Sequence, residues 1–255
     1  MLGAIAGDII GSRFEVIPTK SSDFDLFTEL NRFTDDTVLT IAVADAILYN
    51  KSYEENLKYY GRRYPDAGYG GNFIRWLSGA IEGPYYSFGN GSAMRVSPVG
   101  FAYETVERVL HEAERTAEVS HNHPEGIKGA QAVALSVYMA KHGYNKDQIG
   151  REIEKRFEYD LNRSLNTIRP DYSFEVSCQK SVPESIIAFM ESDDCESAIR
   201  NAISLGGDSD TMACIAGAIA QAYYKDIPRY IAENVYSLIP EEFQQTLVLF
   251  ERKYL

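Results

Sequence analysis

The chain has 255 residues, with 37 acidic against 25 basic side chains and a formal net charge of −12. That balance argues against a grip on the nucleic-acid phosphate backbone, which needs clustered Lys and Arg. It leaves room for a small anion held by backbone N–H groups or by a metal, and 45% hydrophobic residues supply a sizeable core.

From the N-terminus, Met1 to Ile10 is apolar but has no basic region and carries Asp8, which makes a poor signal peptide. Gly3 to Ile10 reads as a buried helix that stops near Gly11. Asp8 then lies in an apolar setting and needs a partner, Arg13 being one option. Glu15 falls just beyond the helix, free to face a cleft. Next comes Thr34-Asp35-Asp36-Thr37, in front of Val38, Ile41, Ala42, Ala44 and Leu48 at helical spacing. A Thr34 cap with two acids at the positive end of the helix dipole accounts for this tetrapeptide taken alone.

Gly68-Tyr69-Gly70-Gly71, Glu82-Gly83-Pro84 and Gly89-Asn90-Gly91 mark loops. Phe88 to Arg95 is a Gly-rich loop before a short apolar segment ending at Pro98. Successive backbone N–H groups in such a loop can cradle a phosphate, although an ordinary Asn-Gly turn also fits. It lacks the Gly-Lys-Ser/Thr ending of a Walker loop. Val106, Val109, Leu110 and Ala113 form another helical face. Ser120 to Gly126 precedes a further helix, with Pro124 at a first helical position. His121-x-His123 has no third nitrogen or sulfur ligand nearby, which disfavours zinc and favours a ligand-contacting His121.

Ala130, Val133, Ala134, Val137 and Tyr138 continue the helical pattern. Period-2 alternation is hinted at only over Tyr172 to Val176, and no motif maps onto the stretch from Gly143 to Ser181. Ile186, Ile187, Phe189 and Met190 start another helix. Gly206-Gly207-Asp208-Ser209-Asp210-Thr211 then leads into the strongest one, with Met212, Ile215, Ala216, Ile219, Ala220 and Tyr223 on one face. Gly and Pro fall between these runs, and no repeat of 20 to 50 residues exists. One nearly all-α domain over residues 1–255 is expected.

The three cysteines, Cys178, Cys195 and Cys214, are odd in number and lack metal-type spacing, as in a reduced cytoplasmic chain. No apolar run approaches the roughly 20 residues that span a bilayer, so no membrane association is expected.

Capping needs one side-chain acceptor, whereas the segments at Thr34 and Asp208 each offer four oxygen-bearing side chains in a row. Crowded carboxylates repel one another unless a cation neutralises them, and hard divalent ions take oxygen ligands. Two such helix starts that meet in space would make a two-metal site.

In this order, Gly7-Asp8-x-x-Gly11-x-x-x-Glu15, Phe33-Thr34-Asp35-Asp36-Thr37, Gly89-Asn90-Gly91-Ser92-x-Met94-Arg95, Ser120-His121-x-His123-Pro124-Glu125 and Gly206-Gly207-Asp208-Ser209-Asp210-Thr211 resemble the ADP-ribosylglycohydrolase family. The resemblance implies an all-α orthogonal bundle with a central dinuclear site of two Mg²⁺ or Mn²⁺ ions. It implies Thr34, Asp35, Asp36, Asp208, Asp210 and Thr211 as metal ligands, and Glu15, Asp35 and Asp210 as catalytic groups. It places Gly89, Asn90, Gly91, Ser92 and Met94 beside the diphosphate and distal ribose, and His121 near the ribose.

The implied activity is hydrolysis of the glycosidic bond between ADP-ribose and an acceptor, either an ADP-ribosylated protein or a small ADP-ribosyl conjugate. The negative charge favours an arginine-type acceptor through long-range attraction. The rival readings are an ADP-ribose-binding or structural module without turnover, and a two-metal phosphohydrolase. Eighteen tyrosines, concentrated at Tyr59-Tyr60, Tyr69 and Tyr85-Tyr86, either line a pocket or interface or are scattered aromatics.

Overall fold

The computed structural model describes residues 1–255. It is all-α, with helices α1 (Leu2–Val16), α2 (Asp35–Tyr49), α3 (Tyr53–Arg63), α4 (Gly71–Leu77), α5 (Gly91–Met94), α6 (Ser97–Ala102), α7 (Val106–Glu118), α8 (Pro124–Lys141), α9 (Lys146–Phe157), α10 (Leu165–Ile168), α11 (Cys178–Met190), α12 (Cys195–Ile203), α13 (Ser209–Tyr224), α14 (Arg229–Leu238) and α15 (Glu241–Tyr254). No helix is long and apolar enough to cross a membrane.

Helix α13 is the axis of the molecule. Ser209 to Ala222 are all buried, and α1, α8, α11 and α12 pack around them. Its small residues permit this crowding. A Cβ added at Gly3, Gly7 or Gly11 of α1 would lie 2.3 Å from Gly217 O, 2.0 Å from Ala213 O and 2.6 Å from Asp210 Cα, respectively. These glycines recur every fourth residue, so they form one stripe along α1 that rests on the backbone of α13. They are therefore an interface, and they do not end the helix near Gly11. Helix α1 runs on to Val16 and carries Glu15 in its last turn.

Glycine and proline also fall inside other helices, contrary to the reading that they only separate them. Gly126 and Gly129 lie in α8, and Pro183 lies within α11. Pro98 sits in the first turn of α6 and does not close the preceding segment. The alternation at Tyr172 to Val176 forms no strand. Its neighbourhood makes one isolated antiparallel bridge, Gly89 with Ser177, through Asn90 N to Val176 O (2.8 Å) and Cys178 N to Phe88 O (2.9 Å).

The apolar side chains pack into one continuous cluster of 75 buried residues, which reaches from α1 to α15. Trp76, Phe101, Phe189, Phe243 and Phe250 are its largest fully buried members. Several helix starts are fixed by their own sequence. Asn145 and Gln148 form a capping box on α9, and Asp194 with Ser197 forms one on α12.

Candidate active site

Five segments deliver most of the predicted side chains to one cavity of about 440 Å³. The end of α1 brings Glu15. The start of α2 brings Thr34, Asp35 and Asp36. The start of α13 brings Asp208, Asp210 and Thr211. The loop into α5 brings Gly89, Asn90, Gly91 and Met94, and His121 comes from the turn before α8. Gly206, with φ +66°, makes the tight turn that aims Asp208 and Asp210 back at α2.

Thr34 is the cap of α2, as its sequence implies, accepting from Asp36 N. Asp208 occupies the cap position of α13 but makes no capping bond. Its Oδ2 instead accepts from Asn90 Nδ2 at 2.8 Å. Across the two helix starts, Thr211 Oγ1 donates to Asp36 Oδ2 at 3.2 Å. Oxygens of Asp8, Asp36 and Asp210 all lie within 4.8 Å of one another.

Asp8 is fully buried and does not pair with Arg13. Its carboxylate accepts from Thr34 N (2.9 Å), Thr34 Oγ1 (2.7 Å), Thr37 N (3.0 Å) and Thr37 Oγ1. Arg13 instead donates to Thr28 Oγ1 and Asp25 O. Asp8 thus fastens α1 to the first turn of α2 from behind the cavity.

The glycine loop is braced on three sides. Asn90 also reaches Ser181 Oγ at 3.2 Å. Ser92 turns its hydroxyl away from the cavity and donates to Gly126 O at 2.7 Å, so this predicted ligand-contacting side chain is engaged inside the protein. His123 caps α8, its Nδ1 accepting from Glu125 N at 3.0 Å. The tyrosines divide: Tyr85 lines the cavity, Tyr69 stacks on Phe73, and Tyr60 packs on Phe243.

The family model for ADP-ribosylglycohydrolase matches residues 1–253. The chain belongs to this family. It is 25% identical to the Mus musculus ADP-ribosylhydrolase ARH3, in an alignment covering 98% of this chain and 87% of the relative. It is 26% identical to the Homo sapiens ADP-ribosylhydrolase ARH3, covering 98% and 88%. An uncharacterized Archaeoglobus fulgidus protein is 26% identical over 92% of this chain and 90% of its own. The fold also matches a solved structure titled ADP-ribosylglycohydrolase-related protein complex, with a TM-score of 0.76 and 23% identity over 100% and 97% of the two chains. The chain is therefore a glycosyl hydrolase of this family.

In this glycohydrolase the acidic cluster has no basic partner of its own. Burial, then repulsion from Asp8 and Asp208, pushes the Asp35 carboxyl up to about 8. Burial and neighbouring carboxylates raise Asp36 and Asp210 well above the usual carboxylate range, and burial raises Asp8 and Asp208. Asp36 Oδ1 is buried without any hydrogen-bond partner. Several anions forced together, with an orphaned oxygen among them, fit a divalent cation and little else. Glu15, at the rim, is raised by burial and Asp208 and pulled down by Arg32.

The cavity also uses residues that the sequence did not single out as ligands: Arg32, Asp66, Asn72, Phe174 and Val176. Asp66 and Asn72 flank the glycine loop at Gly68, which was a usable hint. Phe174 and Val176 lie in the alternating stretch, and the bridge at Gly89 carries them to the cavity wall.

Proposed function

We propose that the chain hydrolyses the glycosidic bond joining ADP-ribose to an acceptor and releases ADP-ribose. Carrying this reading is the meeting, in one cavity, of the acidic cluster, Glu15 and the Gly89–Gly91 loop with His121. An oxygen-rich site for a cation beside a glycine loop fits a ligand with a diphosphate next to a reacting ribose. Residues 1–255 would act as one domain.

Thr34, Asp35 and Asp36 would hold one divalent ion, and Asp208, Asp210 and Thr211 a second. Mg²⁺ or Mn²⁺ suits such oxygen donors. Bound ions of this kind supply positive charge for sugar hydroxyls and for a water, and lower that water's pKa. The residues themselves do the placing. Gly89, Asn90, Gly91 and Met94 seat the diphosphate and ribose, and His121 contacts the ribose side. Glu15 sits where it can orient or deprotonate the water, or assist the leaving group, as an oxocarbenium-like transition state forms.

The acceptor is an ADP-ribosylated side chain, and the net charge of −12 favours an arginine-type linkage. A second reading, a neutral oxygen-linked acceptor, is favoured by Arg32. Its guanidinium lines the cavity close enough to Glu15 to act on it and would oppose a cationic leaving group.

The test is release of free ADP-ribose from arginine-linked, serine-linked and O-acetyl substrates, with Mg²⁺ and with excess chelator. Metal-dependent release is expected, and the best substrate decides between the two acceptors. AMP plus ribose phosphate as products would replace this reading with a phosphohydrolase. Binding without product would make the chain a binding module.

A further inference from the structure

Arg95 is fully buried at the end of α5, and it has no carboxylate partner. Its Nη2 donates to Thr116 O (2.7 Å) and to Ser120 Oγ (2.9 Å), while Nε and Nη1 have no partner. The same Ser120 Oγ lies 2.8 Å from His121 Nδ1. A guanidinium has only protons to give, so Ser120 Oγ accepts from Arg95. The single Ser120 proton is then free for the imidazole. Ser120 Oγ makes no side-chain hydrogen bond besides those to Arg95 and His121.

We propose that Arg95, acting through Ser120, holds His121 as its Nε2–H tautomer and so makes it a neutral hydrogen-bond donor to the ligand. With Nδ1 accepting from Ser120, a neutral ring must carry its proton on Nε2. Nε2 forms no hydrogen bond within the protein. It faces the glycine loop: a Cβ at Gly91 would stand 3.1 Å from it, and one at Gly89 3.7 Å. The groups facing the ring are the Arg95 cation and Tyr85, whose ring meets the imidazole edge-on at 5.7 Å. Burial, and then the Arg95 charge, hold His121 well below the usual imidazole range, in keeping with a neutral ring.

This assignment deepens the ADP-ribose reading and rests on it for the identity of the ligand. It gives His121 one chemistry: donation to a phosphate or ribose oxygen. It removes two others, because a protonated Nε2 can neither take a proton as a base nor ligate a metal. Arg95 and Ser120 are positioning residues in this scheme, since they act on the ligand only through the ring.

The test is the ¹⁵N–¹H correlation spectrum of the histidine rings in the ¹⁵N-labelled full chain, before and after adding ADP-ribose. The expected spectrum shows His121 protonated at Nε2 and bare at Nδ1. Ser120→Ala should produce a mixture of tautomers and weaken ADP-ribose binding about three- to ten-fold, the range for one neutral hydrogen bond. Arg95→Lys, which keeps the charge, should preserve the Nε2–H form. An Nδ1-protonated ring in the wild type, or an unaltered ring spectrum in folded Ser120→Ala, overturns the proposal. The tautomer is read without ligand or turnover. A chain that fails to bind ADP-ribose but shows the Nε2–H signal supports the tautomer assignment and counts against the substrate reading.

Discussion

Asn90 Nδ2 and Asp208 Oδ2 stand 2.8 Å apart, linking the glycine loop to the acidic start of α13. This bond joins two parts of the cavity that are 118 residues apart in the chain. It also fixes which Asp208 oxygen remains free for an ion. Loss of such an orienting partner typically costs 10- to 100-fold in metal affinity or activity. Asn90→Ala should therefore weaken Mg²⁺ binding by about ten-fold or more in a calorimetric titration. Asn90→Asp should do worse, because it sets a second carboxylate against Asp208. Equal affinity in all three proteins would show that the bond positions nothing.

Removing a carboxylate from the cluster should separate ion binding from folding. Asp210→Asn should abolish turnover and cancel the rise in Tm that Mg²⁺ gives the wild type. That rise corresponds to about 2.7 kcal/mol for each bound ion at a free ion concentration a hundred times Kd. The ion-free variant should melt no lower than the ion-free wild type, since the fold already disfavours an ionised carboxyl at Asp210 through burial and its acidic neighbours. Full activity in Asp210→Asn, or in excess chelator, would sink the two-ion scheme.

His121 should leave a signature in the acid stability of the fold. Burial and Arg95 keep its folded-state pKa well below 6.5, while the unfolded ring protonates near 6.5. Below that pH the unfolded chain binds a proton that the folded chain refuses, so stability falls as pH falls. The slope reaches about 1.4 kcal/mol per pH unit at most. Denaturant titrations between pH 7.5 and 5 should show a steeper decline for wild type than for His121→Gln. Parallel declines would mean that the ring protonates in place.

Gly7 tests the stripe on α1. In an open helix, Gly→Ala stabilises by about 1 kcal/mol. Here the new methyl would meet Ala213 O at 2.0 Å, a backbone atom that cannot swing away. Gly7→Ala should therefore destabilise, by about 1–3 kcal/mol, as measured by urea unfolding. A more stable variant would show that α1 and α13 can part without cost.

Much of this was legible because it is local. Helix periodicity located α2, α7, α8 and α13, and oxygen-rich starts marked Thr34 and Asp208. The extent of α1 was not, because Gly7 and Gly11 carry the same letter whether they break a helix or pack one. Only the position of α13 decides between the two. The partner of Asp8 was hidden for the same reason. Thr34 and Thr37 are 26 and 29 residues away, whereas Arg13 is near in sequence and points elsewhere. Ser92 illustrates a third limit: a motif names a residue without saying which way its hydroxyl turns.

The paired backbone at Phe88–Asn90 and Val176–Cys178 works as a hem stitched across the rim of the cavity. It ties the segment that carries Phe174 and Val176 to the loop that carries Gly89 and Asn90, all four of them on the cavity wall. Two stretches far apart in the chain therefore form one border, and neither can drift without tugging the other.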